Sequence, residues 1–376
     1  MMRYWVLIFL LGLVHLSVLA RDAEQPSELA ALLNAVDETG FAKATTVRPF
    51  TFPHDHGPHA RFRNEWWYFT GNLDSPNDRR FGFELTFFRF SLSPKSESSS
   101  SAWRTNQVYI AHLAVTDVAS QQFLTAEKVA RGAAGLAGAQ RRPFRVWMDT
   151  WQITADADHD HWQLVADDER IGINLALTPL KPPVLNGEAG LSRKSSSTDS
   201  ASYYYTMPRL QTSGTLTIDS VDYAVNGLSW LDREWSTSAL ADDQLGWDWF
   251  SLQLSDGSDL MLYNLRKTDD TVDSASSGTL TDPSGQATSL SLANFDVTVL
   301  DTWNSPAGGT YPAKWRLRLP AYQLDLTVTP VLADQELFTT VRYWEGAVDV
   351  SGRKDGQTID GRGYVELTGY AEATDE

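Results

Sequence analysis

Three of the chain's seven histidines fall within six positions, in His54-Asp55-His56-Gly57-Pro58-His59, just ahead of Asn64-Glu65-Trp66-Trp67-Tyr68. A further one, His112, stands in a separate strand-like segment. Imidazoles beside carboxylates can activate water, shuttle protons or bind Zn, Fe or Mn. Pro53, Gly57 and Pro58 break regular structure, so the cluster reads as a loop without fixed ligand spacing and not as a helical HExxH site. It could be a structural or pocket-rim loop, a catalytic or ligand-contacting loop, or a metal site. The expectation adopted is that no metal or other cofactor is bound.

Acids flanked by aromatics form the second kind of candidate. If Trp230-Leu231-Asp232-Arg233-Glu234-Trp235 is extended, Trp230, Asp232 and Glu234 share one face, with same-face neighbours ~6.6 Å apart. Leu231, Arg233 and Trp235 then share the other. Two carboxyls beside indoles could have raised pKa values, which suits a general acid. Alternatively, Arg233 or another arginine neutralises them in a barrel strand. The pattern recurs in Gly246-Trp247-Asp248-Trp249-Phe250, in Tyr343-Trp344-Glu345-Gly346 and in Gly363–Tyr370. In the last of these Tyr364, Glu366 and Thr368 would face away from Val365 and Leu367. An acid projecting into an aromatic-lined barrel could protonate an alkene or bind a polar end group; held by an arginine, it would do neither. There is no G-x-S-x-G elbow, Walker A motif or dinucleotide fingerprint.

Antiparallel strands must position these groups. Phe81, Phe83, Leu85 and Phe87 alternate with Gly82, Glu84 and Thr86. Trp315, Leu317 and Leu319, then Tyr322, Leu324, Leu326 and Val328, alternate with polar residues in the same way. Asp256-Gly257 predicts a hairpin between Phe250–Leu254 and Leu260–Leu265. Asp355-Gly356 predicts a second, with a longer connection, between Ala347–Val350 and the run around Tyr364–Thr368. One helix is predicted over Pro26–Gly40, where Leu29, Leu32, Leu33 and Val36 share a face. Many short strands argue for barrels or sandwiches rather than βαβ units.

The 376 residues suffice for two domains. The Ser-rich stretch Leu191–Ser202, after Pro182-Pro183 and Gly187, predicts a boundary near residue 200. The expected division is a signal over 1–20, a helical lead-in over 21–45, and β domains over 46–200 and 201–376. Arg3, the apolar run Tyr4–Leu19 and the small residues Val18 and Ala20 read as a secretory signal, with a retained anchor as the alternative. The signal predicts export to the periplasm or the cell exterior. Without cysteine there are no disulfides and no thiol chemistry. A formal charge of −17 makes nucleic acid a poor partner. Fourteen Trp, 13 Tyr and 16 Phe supply rigid surface for β cores or apolar cavities.

Taken in order, Phe52–Gly57 with Glu65–Gly71, Ala111–Asp117, Lys181–Gly187, Trp230–Trp235, Gly246–Phe250, Tyr343–Gly346 and Gly363–Tyr370 resemble the signatures of the AttH-like and carotenoid 1,2-hydratase family. The resemblance spans about residues 50 to 370. It implies an all-β chain of two consecutive lipocalin-like barrels enclosing an apolar cavity. Relatives include hydratases of terminal alkenes in acyclic carotenoids, fungal proteins linked to polyene cyclisation, and exported proteins grouped as hydrolases. Exported members are often encoded beside ABC-transporter components. The leading expectation is therefore an exported protein binding a hydrophobic or amphipathic molecule or lipid, with acid-assisted hydro-lyase chemistry on an alkene. Asp232, then Glu234 or Glu366, would deliver the proton, and His56, His59 or His112 would orient water. Glu65, Trp66, Trp67, Tyr68, Trp230, Trp247, Trp249, Tyr343, Trp344 and Tyr364 would contact the ligand. Two rivals stay open: a non-enzymatic carrier or accessory of a lipid-handling ABC transporter, and a secreted hydrolase using the His/Asp loop.

Overall fold

In a computed structural model of the chain, the described residues are 39–95, 101–195, 200–237, 240–241 and 243–371. The predicted signal lies outside them. So does the predicted helix, apart from Thr39 and Gly40, which form a turn. Residues 96–100 and 196–199 of the Ser-rich stretches are likewise outside.

The period-two runs are strands, and the chain is all-β, built as two barrel-like antiparallel sheets. Phe81, Phe83, Leu85 and Phe87, on the strand Arg80–Ser91, bury in the core of the first sheet. Trp315, Leu317, Leu319, Leu324, Leu326 and Val328 bury in the core of the second. Trp151, Trp162 and Trp235 fill the first barrel, and Trp344 joins Trp315 in the second. The aromatic load therefore goes largely into the barrel cores.

The first sheet closes late in sequence. Its strand Asn64–Asp74 pairs on one side with Arg80–Ser91 and on the other with Val221–Ser236. Val221–Ser236 in turn forms a hairpin with Ala201–Ile218, which continues the sheet toward Ile171–Pro179. Residues 201–236 thus belong to the first sheet. The change of sheet falls between Ser236 and Gln244, not near residue 200. The Ser-rich stretch misled because polarity marks an exposed connection whether or not the chain then leaves its sheet. Immediately after it comes a hairpin whose strand Val221–Ser236 takes its hydrogen bonds from residues 64–74.

The two Asp-Gly turns behave differently from each other. Leu254 and Asp259 flank the turn around Asp256-Gly257, where Gly257 has φ +85°. At Asp355-Gly356 both residues have positive φ, 51° and 77°. That permits a two-residue turn matched to strand twist, so Arg342–Lys354 and Gln357–Leu367 pair right up to it. The longer connection expected there does not form.

The barrels dock through faces pointing away from their cores. Gly82 sits where the sheets meet: a Cβ on it would come 2.6 Å from the Cβ of Ala347. Lys181, in the Lys181–Gly187 segment, fastens the seam by reaching Asp259 at 2.6 Å and the carbonyls of Gly257 and Asp282. Asn72 adds a hydrogen bond to the carbonyl of Gly363, at 2.9 Å.

Candidate functional site

Strand alternation decides where each candidate points. On Val221–Ser236, Leu231 and Trp235 enter the first barrel's core, and Trp230 joins the apolar cluster of the seam. Asp232 and Glu234 line a cavity with Trp66, Tyr68 and Phe88 from the same sheet. Trp247, Trp249, Tyr263, Leu265, Tyr343 and Glu366 come from the other sheet. Lys194, Tyr204 and Leu240 complete the wall. The space is about 760 Å³, counting its open mouth. The predicted acids therefore share a cavity between the barrels rather than a hollow inside one. The barrel interiors are occupied by their own cores, because the large residues of each strand's inner face meet there.

Asp232 is buried among neutral donors. Its carboxyl accepts from Thr206 Oγ1 at 2.6 Å, from Trp230 Nε1 at 2.8 Å and from the Tyr204 hydroxyl. Burial pushes it up to about 7, with the nearby Glu234 charge adding to the rise and the three hydrogen bonds opposing it. Two residues on, Glu234 takes an ion pair from Lys194, Nζ to Oε1 3.1 Å. The Lys194 ammonium also lies over the rings of Tyr263 and Tyr204, 4.4 and 5.1 Å from their centroids. Glu366 accepts from Trp247 Nε1 at 3.1 Å.

Behind the cavity the seam holds further acids. Tyr68 donates its hydroxyl to Glu345 Oε2 at 2.6 Å. Neither oxygen of Glu84, nor Glu345 Oε1, nor the Tyr364 hydroxyl makes a well-formed hydrogen bond among the described residues. Burial raises the carboxyls of Glu84, Glu345 and Glu366, and mutual repulsion raises Glu84 and Glu366 further.

These raised values have a stability consequence. A carboxyl whose pKa rises on folding holds its proton longer in the folded state. Stability then falls as pH climbs from the unfolded value to the folded one, by about 1.4 kcal/mol per pH unit for each extra proton held. For Asp232 that window runs from 3.8 to about 7, and the other three shift the same way. Below about 6.5 the depressed His56 and His159 pull the other way, so the melting temperature should fall between about pH 6.5 and pH 8, and Glu345→Gln should flatten the slope. A melting temperature that climbs across this range would contradict the assignment.

The His/Asp loop lies elsewhere. His54–His56 is a short 3-10 turn. His56 Nδ1 bonds the Tyr205 hydroxyl at 2.6 Å, and its ring stacks on His159. Burial, with the nearby charges of His159 and Arg233, depresses it to about 3. His59 stacks flat on Trp235, with centroids 3.7 Å apart, and bonds Asp55 at 3.1 Å. Glu65, expected to contact ligand, is buried between Arg89 and Arg233. Those two charges overcome its burial and hold its carboxyl well below the usual range. Arg233 thus neutralises Glu65 and not the acid pair beside it in sequence. Trp67 packs into the first core and Trp344 into the second. Tyr364 sits in the seam cluster without lining the cavity. None of His56, His59, Glu65, Trp67 and Trp344 reaches the cavity, because each lies on the inner face of its strand or in the loop over the first barrel. Among the described residues no group of His, Asp and Glu is placed to hold a metal ion.

His112 stands apart from the loop. On Gln107–Asp117 it points out of the first barrel, bonding Tyr343 across the seam at 2.7 Å and Glu127 at 3.0 Å.

Several residues of the wall and of the seam behind it were not picked out from sequence. Glu84 had a signal, being a polar member of the alternating run Phe81–Phe87, whereas Tyr204 is the middle of three tyrosines, which marks no face. Lys194 had none, since it stands in a polar stretch that reads as a loop.

Residues 43–370 match the AttH-like family. None of the curated proteins is a match for the chain. Among solved structures, a Nitrosomonas europaea protein assigned as an AttH is 36% identical, with a TM-score of 0.79, over 88% of this chain and 100% of that one. Kievitone hydratase from Nectria haematococca is 15% identical, with a TM-score of 0.67, over 89% and 97%. CghA, solved with Sch210972, is 12% identical, with a TM-score of 0.56, over 90% and 98%. The last two likenesses are of fold.

Proposed function

The chain belongs to the AttH-like family, and from that premise we propose that it takes an elongated apolar or amphipathic alkene into the cavity between its barrels and adds water to it. The observation that carries this reading is Asp232. It is a buried carboxyl on an aromatic cavity wall, raised to about 7 and so protonated in a large fraction of molecules near neutrality. An acid in that state can give a proton to an alkene carbon.

In the proposed reaction the alkene's π pair forms a C–H bond with the proton from Asp232, relayed where needed through the Tyr204 hydroxyl that touches it. The neighbouring carbon becomes cationic and faces Trp66, Trp247 and Trp249, whose rings stabilise positive charge. A water held by Glu366 closes the C–O bond and sheds a proton, and Asp232 takes one up again. Alkene and water become an alcohol, with no oxidant or reductant consumed. Lys194, paired with Glu234, offers a polar anchor for one end of an amphipathic molecule.

The reading also takes the protein to be exported and to meet a lipid-like substrate outside the cytoplasm. Incubation with a lipid extract of the native source in heavy-oxygen water tests it. The expected result is an alcohol carrying one labelled oxygen. A lipid that co-purifies in the cavity and returns unlabelled would instead make the protein a carrier, of the kind that serves a lipid-handling transporter.

A further inference from the structure

Hydration requires a group that accepts the proton shed by the attacking water. Asp232 and its donors occupy the first sheet's wall. On the wall of the second sheet, the hydroxyl of Tyr343 is hydrogen-bonded to His112 Nδ1, at 2.7 Å. His112 is fully buried, and its Nε2 meets Glu127 Oε1 at 3.0 Å. Glu127 reaches the surface, with a side chain 20% exposed. Its two oxygens also accept from the Thr340 amide, at 3.0 and 3.1 Å, and one accepts from the Thr340 hydroxyl at 2.8 Å. A carboxylate fixed in this way selects the imidazole tautomer with its proton on Nε2 and leaves Nδ1 as an acceptor.

We infer that Tyr343, His112 and Glu127 form a proton relay from the cavity wall to solvent, with Tyr343 as its catalytic end and His112 and Glu127 as positioning residues. Its direction in turnover rests on the hydration reading. The water O–H passes its proton to the Tyr343 oxygen as Tyr343 passes its own to Nδ1, and the Nε2 proton moves to Glu127 and out. The same path run inward then returns a solvent proton through Nε2, Nδ1 and Tyr343 to the cavity, which reprotonates Asp232 and restores the resting tautomer. Tyr343 never has to carry a full negative charge. This matters because its burial, beside Glu345 and Glu84, strongly disfavours the phenolate. A contact serving only to clasp the barrels would need no ring here, since Thr340 already ties Glu127 to the second domain.

The relay can be read without a substrate. In the intact protein with tyrosines carrying 13C at Cζ, hydroxyl exchange in mixed light and heavy water gives separate signals, and Tyr343→Phe identifies the one from Tyr343. Its exchange should be at least ~10-fold faster than that of Tyr364, a buried hydroxyl of the same seam without such a path. Glu127→Gln, which preserves shape, and His112→Phe should each slow it by about tenfold. Nitrogen-15 spectra should show the His112 proton on Nε2. Exchange at Tyr343 no faster than at Tyr364, exchange unmoved by both substitutions, or a proton on Nδ1 would each overturn the relay. Where turnover is measurable, the two variants should lower kcat with KM little changed. If the wild type hydrates nothing, the hydration reading falls by itself and the exchange rates still decide the relay.

Discussion

Asp232→Asn should lower hydration turnover by ~10²–10⁴-fold, the range over which a positioned general acid acts. The amide keeps the shape and can still accept from Thr206 and Trp230, so ligand affinity and melting temperature should change far less than kcat. The pH profile gives an independent check. Only the protonated carboxyl donates, so wild-type kcat should fall as pH rises through about 7, and this limb should vanish in the variant. Glu234→Gln should act more weakly and through KM, because Glu234 is tied to Lys194 and not to the reacting carbon. Unchanged turnover in both variants would take the acid role away from this strand.

Glu65→Ala should cost about 3–5 kcal/mol of folding stability, the usual consequence of deleting one partner of a buried ion pair. Glu65 receives both Arg89 and Arg233 in the first barrel, so its loss leaves two guanidiniums in a dry interior. Arg233 is further held over the Trp67 ring, 3.9 Å from its centroid, and donates to the Gly57 carbonyl at 2.8 Å. It cannot swing out to water without dismantling the loop over the barrel. The effect should appear as a lowered denaturation midpoint at neutral pH. Arg170→Ala, at the exposed pair with Asp219, should leave the midpoint nearly unmoved, as surface pairs generally do. A Glu65 variant as stable as the wild type would mean that the Glu65–Arg89–Arg233 cluster does not hold the barrel together.

Glu65 and Asp232 stand on neighbouring strands and have opposite fates. Both stand beside tryptophans, and nothing local to either segment says which will meet an arginine. Glu65 faces inward, where Arg89 from the neighbouring strand and Arg233 from 168 positions away converge on it. Asp232 faces outward, where its neighbours are neutral hydroxyls and an indole. One carboxyl is thereby held ionised and structural, and the other is left poised to hold a proton.

Alternation along single strands was legible without any structure. It separated Asp232 and Glu234 from Arg233, and it set Phe81, Phe83, Leu85 and Phe87 on one face, because a strand's side chains point to opposite sides in turn. The all-β class and the order of family signatures were legible for the same local reason. Which face is core and which is seam was not legible, since both faces of these strands are buried and the pattern marks only that they differ. That is why Trp67, Trp344 and Glu65 looked like cavity residues and lie in cores, and why Glu84 went unnoticed. The cavity, the shared acids of the seam and the line from Tyr343 through His112 to Glu127 exist only once two sheets dock. They are formed by residues up to 300 positions apart, as Trp66 and Glu366 are on the cavity wall, a separation over which pairing is set by packing of the whole chain and not by local preference.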